Sequence, residues 1–327
     1  MRDDRNMRIA SKVALVAIAL GIAWYFVQFG IGLVAEFSEL GYPRRGVPPF
    51  VWMTVGLAFS AASLVSWWFL ARSTLNGARL LFINVAAFAV YVIFGLVSRA
   101  IAQEFHNWQT MQNVSNAIGL VVSAVTIAVF AILVSKNSGR ARTFLSMFLA
   151  NAIISFISSV STSFMHLIAA AVLHADMSTA VFVSLRILAA LASLISTAAW
   201  LLVYMESRRP SGCDEEVEGE EAAPKHVPLL WRIFIVAIPL LIFTHLSAPG
   251  RASALLFFAP AGILGAFVDS NSAFVVLGFG YAVYLTIAVA ILWSRTRRAL
   301  LVLATVWFLL ILLNLAGCAA MLNRMHF

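Results

Sequence analysis

The chain has 327 residues, a net charge of +8 and only 11% charged side chains, less than half of the roughly 25% found in soluble domains. A hydrophobic fraction of 62% and a mean hydropathy of +0.95 exclude an ordinary water-covered surface. The cations sit at the ends of apolar runs, where topology determinants meet anionic headgroups; this excludes the continuous basic face that nucleic-acid binding requires.

A transmembrane helix takes about 20 apolar residues. Runs of that order fall at 12–35, 49–71, 78–100, 112–135, 143–173 and 180–205, and again at 229–248, 252–268, 272–294 and 298–322. The expected fold is therefore all-α: a polytopic integral membrane protein, a helical bundle of nine or ten transmembrane segments, six before and three or four after a break. Arg2, Arg5, Arg8 and Lys12 lead into a first run too long for a signal-peptide core, so it is read as a helix that stays.

The break is the stretch 206–228, ESRRPSGCDEEVEGEEAAPKHVP, which carries seven of the chain's 14 acidic residues. Like charge, glycine and proline with no large apolar residue cannot bury enough surface to offset ordering entropy, so a disordered connector is expected. This gives an N-terminal six-helix module over 1–205, an acidic linker over 206–228 and a C-terminal three- or four-helix module over 229–327. Cys213 and Cys318, the two cysteines, fall in the linker and the last apolar run, so no disulfide is expected between them.

Orientation follows from the cations. With the N-terminus in the cytoplasm, the inner segments of the first six spans hold Arg2, Arg5, Arg8, Lys12, Arg72, Arg79, Lys136, Arg140, Arg142, Arg208 and Arg209. The outer loops hold Arg44, Arg45 and Arg99. Eleven against three is a positive-inside bias. It predicts a cytoplasmic N-terminus and linker in a bacterial-type inner membrane. Ten simple spans would then leave Arg295, Arg297 and Arg298 outside. The conflict vanishes if 252–268, a short segment containing Pro260, Gly262 and Gly265, dips in and returns. Such backbone is tolerated only where protein or a water-filled cavity surrounds it.

Polar residues inside membrane helices are costly and so informative. Asn151, Ser155, Ser158, Thr162 and His166 recur at steps of three and four, which puts them on one face of the fifth helix. The sixth helix carries Arg186, Ser193, Thr197, Trp200 and Tyr204 on one face, and the third Asn84, Tyr91 and Ser98. Serine, threonine and asparagine also serve as helix-helix glue, contributing about 0.6 kcal/mol each. Ionisable groups predict more: Glu36, Arg99, Glu104, His166, His174, Asp176 and Arg186 all fall toward the outer side. With Asn151 and Thr162 they form the candidate polar vestibule or pathway. Arg186 lies inside its helix, with Glu36, Glu104 and Asp176 as candidate partners.

His166 and His174 share a helix face but stand about 12 Å apart along it, too far for one ion, and no HExxH or CxxC spacing occurs. No metal, cofactor or catalytic residue is assigned. Walker A, GxSxG and SxxK patterns are lacking, and lysine occurs only at 12, 136 and 225, which excludes an intrahelical retinal Schiff base. The leading expectation is transport or channel-like permeation of a small solute through the polar-lined bundle. The alternative is a non-catalytic membrane subunit, scaffold or sensor with a protein partner at the acidic linker; an intramembrane enzyme using the outer Glu, His and Asp residues comes third. The bilayer is the expected partner in each, and nucleic acid in none.

Topology is open to a direct measurement. With Cys213 and Cys318 replaced by serine, single cysteines at positions 251, 270 and 296 are probed with an impermeant thiol reagent. A re-entrant 252–268 makes 251 and 270 react from the same side, with 296 on the opposite side; a crossing segment puts 251 and 270 on opposite sides.

Overall fold

The computed structural model describes residues 5–37, 49–105, 108–169, 175–208, 227–246 and 273–325. Among them are nine α-helices and no strand: α1 (Arg5–Phe37), α2 (Pro49–Ala71), α3 (Leu81–Phe105), α4 (Trp108–Lys136), α5 (Gly139–Ala169), α6 (Ala175–Glu206), α7 (Leu229–Leu246), α8 (Ala273–Trp293) and α9 (Arg297–Met325). Backbone amides in hydrocarbon have no water to bond, so apolar sequence of this length satisfies them within a helix. Seven helices are long and apolar enough to cross a membrane; α7 and α8 add shorter apolar stretches, Leu229–Pro239 and Gly278–Trp293. The expected 252–268 segment lies outside the described residues.

The chain divides into two compact units, one of residues 1–21 and 47–215, the other of residues 22–46 and 216–327. In the first, α2 to α6 pack in chain order, each against the next. Their shared core gathers at the basic end, where the α2–α3 and α4–α5 connections lie. Met7, Ala10 and Ala14 of α1, Leu70, Leu81, Leu133, Phe144, Leu145 and Val203 are all buried there. The spacing of 7, 10 and 14 puts three small or slender side chains on one face of α1 and lets backbones approach.

At the centre of that core four aromatic rings come from four helices. Trp67 of α2 lies 5.5 Å from Phe130 of α4, 4.9 Å from Phe148 of α5 and 5.0 Å from Trp200 of α6, and Phe148 also meets Trp200 at 5.0 Å. The contacts are edge-on or tilted, the arrangements that the ring quadrupole favours. The α2–α3 turn over this core needs Gly77, whose φ of +78° is left-handed and whose Cα faces Lys136 and Leu133; a Cβ there would come within 3.2 Å of the lysine Cδ.

The second unit has its own core of Ile291, Leu300, Trp307 and Ile311, against which Ile235, Ile242 and Tyr284 pack. The Tyr284 and Trp307 rings are 4.9 Å apart. Pro239 interrupts the hydrogen-bond ladder of α7, and Thr296 caps α9 by accepting from the Ala299 amide at 3.3 Å. Both units expose large apolar side chains, such as Val121, Leu285 and Val302 at 64% each, as a lipid-facing surface does and a water-facing one rarely does.

The adjacent tryptophans separate the core from the exposed face of α2. Trp67→Ala removes the ring that touches three others and should cost about 3–5 kcal/mol. Trp68 is 41% exposed and its replacement by alanine should cost well under half of that. Unfolding of each variant in mixed-detergent titrations measures the difference; equal losses would place the packing elsewhere.

Candidate functional site

The expected polar stripes resolve into three different situations. On α6, Thr197 donates to the Ser193 carbonyl at 2.8 Å, Trp200 belongs to the aromatic core, and the Tyr204 ring carries the Arg208 guanidinium at 4.8 Å. On α3, Asn84 and Ser98 are buried but Tyr91 is 37% exposed, its ring packed beside Gly119 of α4. Thr126 Oγ1 lies 2.6 Å from the Asn84 side-chain amide and 2.8 Å from the Val122 carbonyl. The Asn84 atom facing it is Oδ1, so the single hydroxyl proton of Thr126 is offered to two acceptors, Asn84 Oδ1 and the Val122 carbonyl.

On α5, Asn151, Ser155 and Ser158 are half-buried, beside Phe148 and Ala152 on the packed side. Thr162 and His166 continue along the same helix, and α5 pairs extensively with α6. Because α6 begins at Ala175, Arg186 stands eleven residues, about 16 Å, along it. The helix begins before the expected start at 180 because it runs past the apolar stretch to take in Asp176. Arg186 is half-buried. Counting along both helices from their connection puts it level with Ser158. Glu36 lies in α1, Arg99 and Glu104 in α3, and Asp176 in the first turn of α6. The side chains of these four, of Thr162 and of His166 are outside the described set, as is all of His174.

Two groupings escaped the stripe pattern. The first is a clamp at the basic end of the first unit. Asn137, 8% exposed, donates from Nδ2 to the carbonyls of Asn76 at 2.9 Å and Leu133 at 2.8 Å, while its Oδ1 accepts from the Asn76 amide at 3.1 Å. Both amide protons and the oxygen are used, tying the α2–α3 turn to the end of α4. Nearby, Arg8 donates to the Ser207 carbonyl at 2.9 Å and so places a cation at the C-terminus of α6, and Asn6 donates to the Arg72 carbonyl at 3.0 Å. Arg140 and Glu206 approach only to 3.9 Å and are partly exposed, so their attraction is screened and small. A sequence signal existed in the paired Asn-Gly and Asn-Ser-Gly turns, but not which turns would meet.

The second grouping is an open surface groove of about 390 Å³ in the second unit, lined by Arg232, Val289, Leu292, Trp293 and Arg295. Arg295 figures in the sequence only as a topology signal, and Arg232 is lost in an apolar run. Among the described residues no three His, Cys, Asp or Glu side chains come together as metal ligands would. Comparison of the chain with family models, curated proteins and solved structures gives no match.

The clamp is testable on its own. Asn137→Ala strands the partly buried backbone groups of Asn76 in the α2–α3 turn and should lower the unfolding free energy by about 1–2 kcal/mol. Ser135→Ala, whose hydroxyl is exposed and bonds only its own helix, should change it by less than about 0.5 kcal/mol. Detergent-titration midpoints of the two variants give the comparison.

Proposed function

We propose that this chain is a non-catalytic multi-pass membrane subunit whose helical module presents the acidic stretch 206–228 to a protein partner. The observation that supports this is how the polar side chains near the basic end of the first unit are spent. Asn84, Thr126, Asn137, Thr197 and Ser207 each bond a neighbouring turn, a neighbouring helix or their own backbone, and four rings fill the interior between α2, α4, α5 and α6. Such a module is a rigid support rather than a polar conduit. Arg8 on the Ser207 carbonyl fixes the point from which the acidic stretch leaves α6. In this reading six segments precede the stretch and three or four follow it, and the stretch faces the cytoplasm of a bacterial-type cell.

Transport of a small solute is the second reading, and Arg186 is what favours it. An arginine half-buried about 16 Å along a membrane helix is costly and marks a functional site more often than not. In that reading Glu36, Arg99, Glu104, Asn151, Thr162, His166, His174, Asp176 and Arg186 line a vestibule, and the Trp67–Trp200 ring cluster is its closed end.

Two variants separate the readings. Deleting residues 211–223 should abolish co-purification of a crosslinked partner while leaving folding intact, as judged by an unchanged unfolding midpoint. Arg186→Ala should leave that partner bound. A deletion that keeps every crosslink, together with solute flux into reconstituted vesicles that Arg186→Ala reduces tenfold or more, would replace the subunit reading with transport.

A further inference from the structure

One end of the second unit concentrates positive charge and tryptophan. Trp231 and Arg232 lie in the first turn of α7, Trp293 ends α8, and Arg295, Arg297 and Arg298 follow directly. Arg232 joins the two helices: its Nη1 donates to the Leu292 carbonyl at 2.6 Å, one of the oxygens that a helix C-terminus leaves without an intrahelical partner. Its Nε is buried with no hydrogen-bond partner. A charged donor in that position favours an anionic acceptor.

The surrounding helices supply no such acceptor. No aspartate or glutamate occurs from Val227 to Leu246 or from Ala273 to Met325. Beside the guanidinium lies the open groove of about 390 Å³, a shape that fits a chain lying along the surface rather than an enclosed ligand. Its lining is graded. Arg232 and Arg295 are cationic, whereas Val289 and Leu292 of α8 are apolar and exposed at 50% and 38%, and Trp293 is exposed at 75%. A solvent-borne phosphate would use the arginines alone. A lipid uses both halves, with its phosphate at the cations and an acyl chain along α8, and an exposed tryptophan at that level is the usual interfacial anchor.

We propose that this groove binds an anionic phospholipid, its phosphodiester held by Arg232 and Arg295 and one acyl chain lying along Val289 and Leu292. The proposal rests on the chain spanning a membrane and is independent of whether the protein is a subunit or a transporter.

The full-length protein in detergent is incubated with phosphatidylglycerol bearing a photoreactive acyl chain, and crosslinks are mapped by peptide mass spectrometry. Crosslinks on residues 286–295 are expected, displaced by unlabelled phosphatidylglycerol but not by equal phosphatidylcholine or by inorganic phosphate. Arg295→Ala should weaken the apparent affinity about fivefold, as expected for loss of one basic contact, and Arg295→Lys should restore most of it. Neither change should move the unfolding midpoint, because Arg295 is exposed. Equal displacement by phosphatidylcholine, or crosslinking indifferent to Arg295→Ala, would reduce the groove to ordinary lipid-facing surface and overturn the proposal. Displacement by inorganic phosphate would overturn it in favour of a soluble-anion site.

Discussion

Trp67 holds the first unit together. Its indole touches Phe130, Phe148 and Trp200 at ring-centre distances of 4.9 to 5.5 Å, so α2, α4, α5 and α6 all meet at one side chain. In lipid the hydrophobic effect does little to bring helices together, because a ring in hydrocarbon gains nothing by leaving it. Association then depends on close packing and on polar bonds, and aromatic pairs contribute about 0.5–1.5 kcal/mol each beyond area. Three such pairs on one residue make its level of the bundle the rigid one.

The polar groups near that level extend the same logic. Asn137 uses both amide protons and its oxygen to tie the α2–α3 turn to the end of α4, and the Asn84–Thr126 pair crosses from α3 to α4. Ser11, fully buried in α1, returns its hydroxyl to the Met7 carbonyl at 2.8 Å, so its small side chain permits close approach without leaving a donor unpaired. Polar residues in this part of the chain act as fasteners. Arg232 repeats the device in the second unit, where an arginine closes the end of α8 and retains donors for something else.

Much of this was legible from residues alone, and the exceptions have definite causes. The apolar runs located the helices because hydrocarbon imposes a minimum length and forbids unsatisfied backbone. The steps of three and four placed Thr197 and Trp200 together on one face of α6, yet periodicity cannot say whether a face meets a pathway or another helix. Trp200 went to an aromatic core and Thr197 to its own backbone. Tyr91 was grouped with Asn84 and Ser98 by spacing, but Gly119 on the facing helix offers its ring a shallow notch, and it stays partly exposed. Arg186 is half-buried, and the apolar run alone does not show that α6 starts five residues before that run.

What the sequence determined by itself is the class of the molecule: helices of membrane length, basic residues gathered at particular helix ends, and one strongly acidic stretch between apolar runs. These follow from solvent physics that acts on each segment separately. Which side chains meet was decided only in three dimensions. Asn76 and Asn137 lie 61 residues apart in the chain, as Arg232 and Leu292 lie 60 apart, and no local pattern encodes such pairings. They arise when helices of nearly uniform apolar surface choose neighbours by the fit of a few rings and the few bonds that fit allows.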